Sequence, residues 1–362
     1  MIDGLFVINP VVHAYNLTDA NLRSPRYGPA FRQTLWALHS VWNPPELQMP
    51  QAVYFSDWPV EVLADTLFLE TSVDLAGHHR LRLDSWFHDG LVAHEKNVAI
   101  RERWPQRFVI YVGVDPIAGL SRCLEEMDRQ LADLPGAIGL KLYPDQVDPL
   151  RSWRMDDPTL AFPLFEAAIA RGIRTVAIHK AIPNGPVPLD PYRVGDVDGA
   201  AAAFPDLSFE IVHSGLAFVE ETALAISRFP NVYANLEITT LLLHRAPQLF
   251  EEALAKFVMW GGPSKVIWSD GSLFCHSQLL LEKFMAFDWS EATREKYRLG
   301  PLTKQDKALI LGQNYARITG MDIAALQRAQ AGDVFERRRA EEGMHPPYSN
   351  WRRAAGVRGE TR

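Results

Sequence analysis

Eight short apolar runs rich in β-formers alternate with amphipathic stretches along this chain: LFVIN, TLFLETSVD, RFVIYVGVD, AIGLKLY, RTVAIH, SFEIVH, NVYANLEIT and KVIWSD. From the third onward they begin near residues 107, 137, 174, 208, 231 and 265, at intervals of 23 to 37 residues. Each interval has room for one crossover helix. Helical patterns fill several of them, at 117–134, 163–172 and 250–257. Such alternation predicts a parallel α/β sheet, and eight repeats favour a closed (β/α)8 barrel.

Two regions break the period. Residues 14–62 separate the first two runs with a Pro- and aromatic-rich segment containing WNPPELQMP, too long for an ordinary βα loop. It reads as an insertion forming a lid or pocket wall, or else as a surface excursion or subunit contact. Beyond residue 320 the chain turns helical and charged, then continues as HPPYSNWRR. We therefore expect one barrel over 1–320 and a C-terminal helical extension over 321–362, packed on the barrel or on a neighbour. The final GVRGETR reads as frayed.

A length of 362 residues, 47% hydrophobic, suffices to bury a large core. The net charge of −7 and the absence of a basic stripe argue against nucleic acid and anionic membranes as partners. No secretory leader pattern or long apolar span is visible. With only Cys123 and Cys275, there is no disulfide framework, which fits reduced thiols in a cytoplasm. The expected partners are a small molecule, anionic or aromatic, and further copies of the chain in a homodimer or larger assembly.

The ends of the apolar runs carry the chemistry. His13, His179, His213 and Asp270 each stand where a strand should stop. A βα barrel gathers its strand ends at one rim, so imidazoles and a carboxylate there point to a metal or acid–base site. Phosphate-cradling and nucleophile-elbow motifs (GxGxxG, GxxxxGKS/T and GxSxG) do not occur.

RFVIYVGVDP, GAIGLKLYP, VAIHKA, FPDLSFEIVHSG, RFPNVYANLE, KVIWSDGS and LGQNYARITG follow one another in an order that resembles the metal-dependent amidohydrolase superfamily, in its amidohydrolase-2 branch. That branch includes nonoxidative decarboxylases, lactonases and C–C bond hydrolases. The resemblance implies one divalent metal, zinc or else manganese. It makes His13, His179 and Asp270 ligands, Glu237 a further ligand or a salt-bridged acid, and Asp270 the acceptor of a proton from metal-bound water. His213 is similar to the family's proton shuttle. Lys141 matches a position that elsewhere bridges metals as a carboxylated lysine, and here reads as solvated or as binding a substrate carboxylate. Tyr15, Asn16, His78, Trp86 and His276 are candidates for substrate contact. The family's first motif, Asp-x-His-x-His, is altered: Asn9 replaces the acid and Val11 the first histidine.

Three functions follow as expectations. The first is hydrolysis of a small cyclic or aromatic amide, ester, lactone or carbonyl compound by a metal-activated water. The second is nonoxidative decarboxylation of an aromatic or unsaturated acid. The third, prompted by Val11 and Asn9, is a metal-free binding or assembly barrel.

Overall fold

The computed structural model describes residues 1–356; the frayed end expected beyond Gly356 lies outside the described residues. Eight parallel strands form one sheet: β1 (Ile8–Val12), β2 (Leu75–His79), β3 (Phe108–Gly113), β4 (Gly139–Leu142), β5 (Thr175–His179), β6 (Ser208–Val212), β7 (Val232–Asn235) and β8 (Val266–Ile267). Each pairs with its sequence neighbours in the order β1 to β8, the up-and-around topology expected of a TIM barrel. Six strands begin within two residues of the positions read from the sequence.

The second strand is displaced from its expected place. The run LFLE belongs to a helix, Val60–Leu69, and the strand follows at Leu75–His79. Buried Val60, Leu63, Ala64, Leu67 and Phe68 recur at helical spacing, so the pattern over the longer window overrides the β-rich look of the short run. His78 and His79 consequently lie on β2 rather than in a loop.

The strands curl but the backbone ladder does not close: β1 and β8 stand at the two ends of the sheet order. Side chains span the seam instead. Asn9 Nδ2 donates to Asp270 Oδ1 at 2.7 Å, while Asn9 Oδ1 accepts from Ser269 Oγ at 2.9 Å and from the Asp270 N–H at 3.3 Å. A carboxamide can do this because it offers a donor and an acceptor together. Between β1 and β2 the backbones come so close that a Cβ on Gly77 would collide with the Pro10 carbonyl. Deeper inside, the buried Glu210 carboxylate accepts from Tyr111 Oη, Thr175 Oγ1 and Asn235 Nδ2, tying β3, β5, β6 and β7 together.

Within the segment between β1 and β2, helix α1 (Tyr27–Trp42) turns Phe31, Leu35 and His39 inward. Helix α2 is Val60–Leu69. After the barrel, α3 (Ile323–Gln330), α4 (Val334–Glu342) and α5 (Ser349–Ala354) run back along its outside. This tail is pinned by Glu70, a buried carboxylate just after α2. Its oxygens accept from the Tyr348 and Asn350 N–H groups and from Asn350 Nδ2, and lie 3.1 Å from His276 Nε2. Both cysteines are buried and unpaired. No helix among the described residues is long and apolar enough to cross a membrane.

Candidate active site

The C-terminal strand ends open into a cleft of about 430 Å³, open solvent at its mouth included. Its floor is polar: His13 follows β1, Lys141 sits on β4, His179 ends β5, His213 follows β6 and Glu237 lies just past β7. Its walls are apolar and aromatic, from Tyr15, Tyr143 and Phe274, with Phe31, Leu35 and Leu38 of α1 facing in from the first insertion. His213 and Ile238, at consecutive strand ends on this rim, both adopt positive φ (69° and 64°). Such backbones cost free energy and cluster where side chains must be aimed.

Hydrogen-bond partners assign the protons. His179 Nε2 donates to the Ile182 carbonyl at 2.7 Å, and His179 Nδ1 faces His213 Nε2 at 2.9 Å. His213 Nδ1 lies against the Glu237 carboxylate and 3.3 Å from the Glu237 carbonyl. An acceptor at each end and the Nδ1–Nε2 contact in the middle join Glu237, His213 and His179 in one hydrogen-bonded chain.

Lys141 is the other charge in the cleft. It is 2% exposed, and its Nζ has no hydrogen bond or salt bridge to a described residue, standing 4.9 Å from the centre of the Tyr143 ring. Burial draws its pKa down to about 8, opposed by the carboxylates of Glu237 and Glu210. Burial also holds His13 and His179 well below the usual imidazole range, and Lys141 adds to both shifts. His13 Nδ1 has no partner among the described residues, nor has either polar atom of the Asn184 carboxamide, which also lines the cleft. Asn184 and Tyr143 lie beyond strand ends, and the sequence reading gave neither a role, although Tyr143 falls within the run GAIGLKLYP.

Asp270 does not join this cluster. It is fully buried at the seam and does not line the cleft; Oδ1 accepts from Asn9 Nδ2, Ser277 Oγ and the Ser272 N–H. Burial raises its pKa and those three donors counter the rise. Four other expected substrate contacts also fall elsewhere. Asn16 holds Asp89 and Thr18 in the first loop. His78 accepts the Ala14 N–H and lies against Asn97, bracing the backbone beside His13. Trp86 is buried in the hydrophobic core. His276 is engaged by Glu70 and packs edge-on to Tyr348. Tyr15 does face the cleft, stacked on His13 with ring centres 5.1 Å apart.

The amidohydrolase-2 family profile, described as Amidohydrolase, matches residues 38–320. The chain belongs to this family. It is therefore an enzyme of the amidohydrolase superfamily, and the family's barrel agrees with the architecture above. Among curated proteins, none matches the sequence. Similar solved structures include an uncharacterized TIM-barrel protein of Bordetella bronchiseptica, 17% identical, with a TM-score of 0.62 over 87% of this chain and 99% of that one. An amidohydrolase of Burkholderia multivorans with bound zinc is 12% identical, TM-score 0.52, covering 88% and 100%. A 5-carboxyvanillate decarboxylase of Novosphingobium aromaticivorans, with bound manganese and 3-methoxy-4-hydroxy-5-nitrobenzoic acid, is 12% identical, TM-score 0.52, covering 88% and 98%.

Zinc and manganese in those two family-fold structures pose the question of fit in this one. The facing nitrogens of His179 and His213 suit a shared proton or a shared ion equally well, but a zinc site needs further donors. Among the described residues, no three His, Cys, Asp or Glu side chains come together so as to hold an ion. Val11 presents hydrocarbon to the cleft where a histidine would ligate, and Asp270, although its Oδ2 has no hydrogen-bond partner among the described residues, is held at the seam through Oδ1 and does not line the cleft. The residues present do not form the expected centre of His13, His179, Asp270 and Glu237.

Proposed function

We propose that this amidohydrolase-2 enzyme hydrolyses a small cyclic or aromatic ester, lactone or amide by acid–base chemistry carried by its own side chains. The observation that carries this reading is the hydrogen-bonded Glu237–His213–His179 chain beside an unpartnered ammonium. A carboxylate, an imidazole chain and an ammonium then border one cleft, and together they meet the needs of acyl transfer to water. Glu237 accepts a proton as water attacks the substrate carbonyl. Lys141 meets the oxygen on which negative charge develops. The proton taken up by Glu237 passes through His213 to the departing oxygen or nitrogen as its bond to carbon breaks, which returns Glu237 to the carboxylate. The products are a carboxylic acid and an alcohol or amine, or one hydroxy acid from a lactone.

The aromatic walls favour a flat substrate, and the Lys141 ammonium favours an anionic one. Asn184, with both polar atoms free, is a hydrogen-bonding contact for a ring substituent.

Turnover of candidate lactones, esters and amides in oxygen-18 water tests the proposal: the label should enter the product carboxylate. Glu237→Gln and His213→Asn should each lower kcat/KM by about a hundredfold or more, and Lys141→Met by a similar factor. A Glu237→Gln enzyme that retained full activity would refute the assignment. A proton relayed through His213 also suits a second reaction, its delivery to a ring carbon as carbon dioxide leaves. Deuterium on carbon in heavy water, with no oxygen label, would establish that reaction in place of hydrolysis.

A further inference from the structure

We infer that this chain has exchanged the metal ion seen in similar amidohydrolase structures for the ammonium of Lys141, and works without a bound metal. The inference rests on the hydrolytic reading only for the task given to Lys141; the exchange itself is read from three positions. At the first, Val11 and His13 share one face of the chain at the end of β1 and both line the cleft, but only His13 carries a nitrogen.

At the second position, Asn9 offers the neighbouring carboxylate a neutral donor. Two acids facing each other across β1 and β8 would need a cation between them. An amide facing an acid needs none, and Asn9 with Ser272 and Ser277 gives Asp270 Oδ1 three protein hydrogen bonds. Asp270 Oδ2 has no hydrogen-bond partner among the described residues, but the carboxylate is fully buried at the seam and does not line the cleft.

The third position is Lys141. Its ammonium leans over the Tyr143 ring, which stacks on His179 at 4.8 Å, and His179 meets His213 at 4.3 Å between ring centres. A fixed positive charge in this small space repels a dication from the two imidazoles that could otherwise grip it. The same charge supplies what a Lewis-acidic ion would supply to a carbonyl oxygen, a nearby positive centre in a partly dry cleft. The missing nitrogen at Val11, the neutral Asn9 donor facing Asp270 and the unpartnered ammonium of Lys141 are three separate observations, and they agree.

Metal analysis of protein grown with added zinc and manganese, and purified without chelator, decides the matter. The expected result is far less than one ion per chain, and no anomalous scattering peak between His179 Nδ1 and His213 Nε2 in zinc-soaked crystals. The double variant V11H/K141A leaves the Asn9 seam intact and should gain one zinc per chain, because it restores a nitrogen donor and removes the opposing charge. Stoichiometric metal in the natural protein would overturn the inference. A folded double variant that takes up no zinc would overturn the part assigned to Val11 and Lys141. Both readouts count ions, so they stand whether or not the oxygen-18 experiment finds hydrolysis.

Discussion

Replacing Asn9 with aspartate would set two carboxylates against each other across the seam, since Asn9 Nδ2 now donates to Asp270 Oδ1 at 2.7 Å in a fully buried setting. Asn9→Asp should therefore lose on the order of 2–4 kcal/mol of stability at pH 7 in urea unfolding, and recover part of it near pH 5 as the two acids share a proton. Unchanged stability at pH 7 would mean that the seam is not the desolvated pair described. At this scale, His13, His179 and His213 were legible in the sequence because strand register alone sends them to one rim. The orientation of Asp270 was not, because it depends on donors from a turn and a helix start, Ser272 and Ser277, that no strand pattern reveals. Lys141 was visible as a residue but not as an unpaired charge, since its isolation is a property of the whole rim.

Among the elements, α1 and β2 each hold a histidine that is well satisfied only when neutral. His39 on α1 donates from Nδ1 to the Leu273 carbonyl at 2.8 Å and accepts the Met49 N–H at Nε2, also at 2.8 Å. Burial lowers the pKa of both His39 and His78 to about 4. A folded-state value below the unfolded one means that the unfolded chain binds more protons between about pH 6.5 and 4, so stability must fall as pH drops through that window. Each histidine should remove about 2 kcal/mol between pH 7 and 5, and His39→Gln should flatten that decline in urea melts. An equally steep decline in the variant would show that His39 is not the titrating group. The helix α2 explains the one strand misplaced by sequence reading: six residues of LFLETS look extended, and only the ten-residue window beginning at Val60 shows the helical stripe. The inward face of α1 was foreseen only as a lid or wall, because which loop a helix covers is a long-range fact.

For the molecule as a whole, the C-terminal tail is part of the barrel's support. Ending the chain at Gly343 would strip the buried Glu70 carboxylate of the Tyr348 N–H, the Asn350 N–H and Asn350 Nδ2, and remove Trp351 from against Trp58. An acid left buried with fewer donors costs several kcal/mol, so the truncated chain should melt at markedly lower temperature and be cleaved faster by protease near α2. A melting temperature equal to that of the full chain would show that the tail is dispensable. Its helical, charged character could be read from sequence, but it docks on partners more than 200 positions earlier, Glu70, Asp65 and Arg107 among them, and pairings that distant leave no local trace.

The seam between β1 and β8 carries a mechanical meaning as well. Seven of the eight junctions between strands are backbone ladders. The eighth is a clasp of a few side chains around Asn9. Such a hoop has one predetermined place to part, and it lies where the first and last strands of the barrel meet, beside the catalytic rim. Breathing of the barrel would then be a hinged opening at one known edge rather than a loosening all around, with α1 and the cleft it borders swinging on the β1 side of the gap.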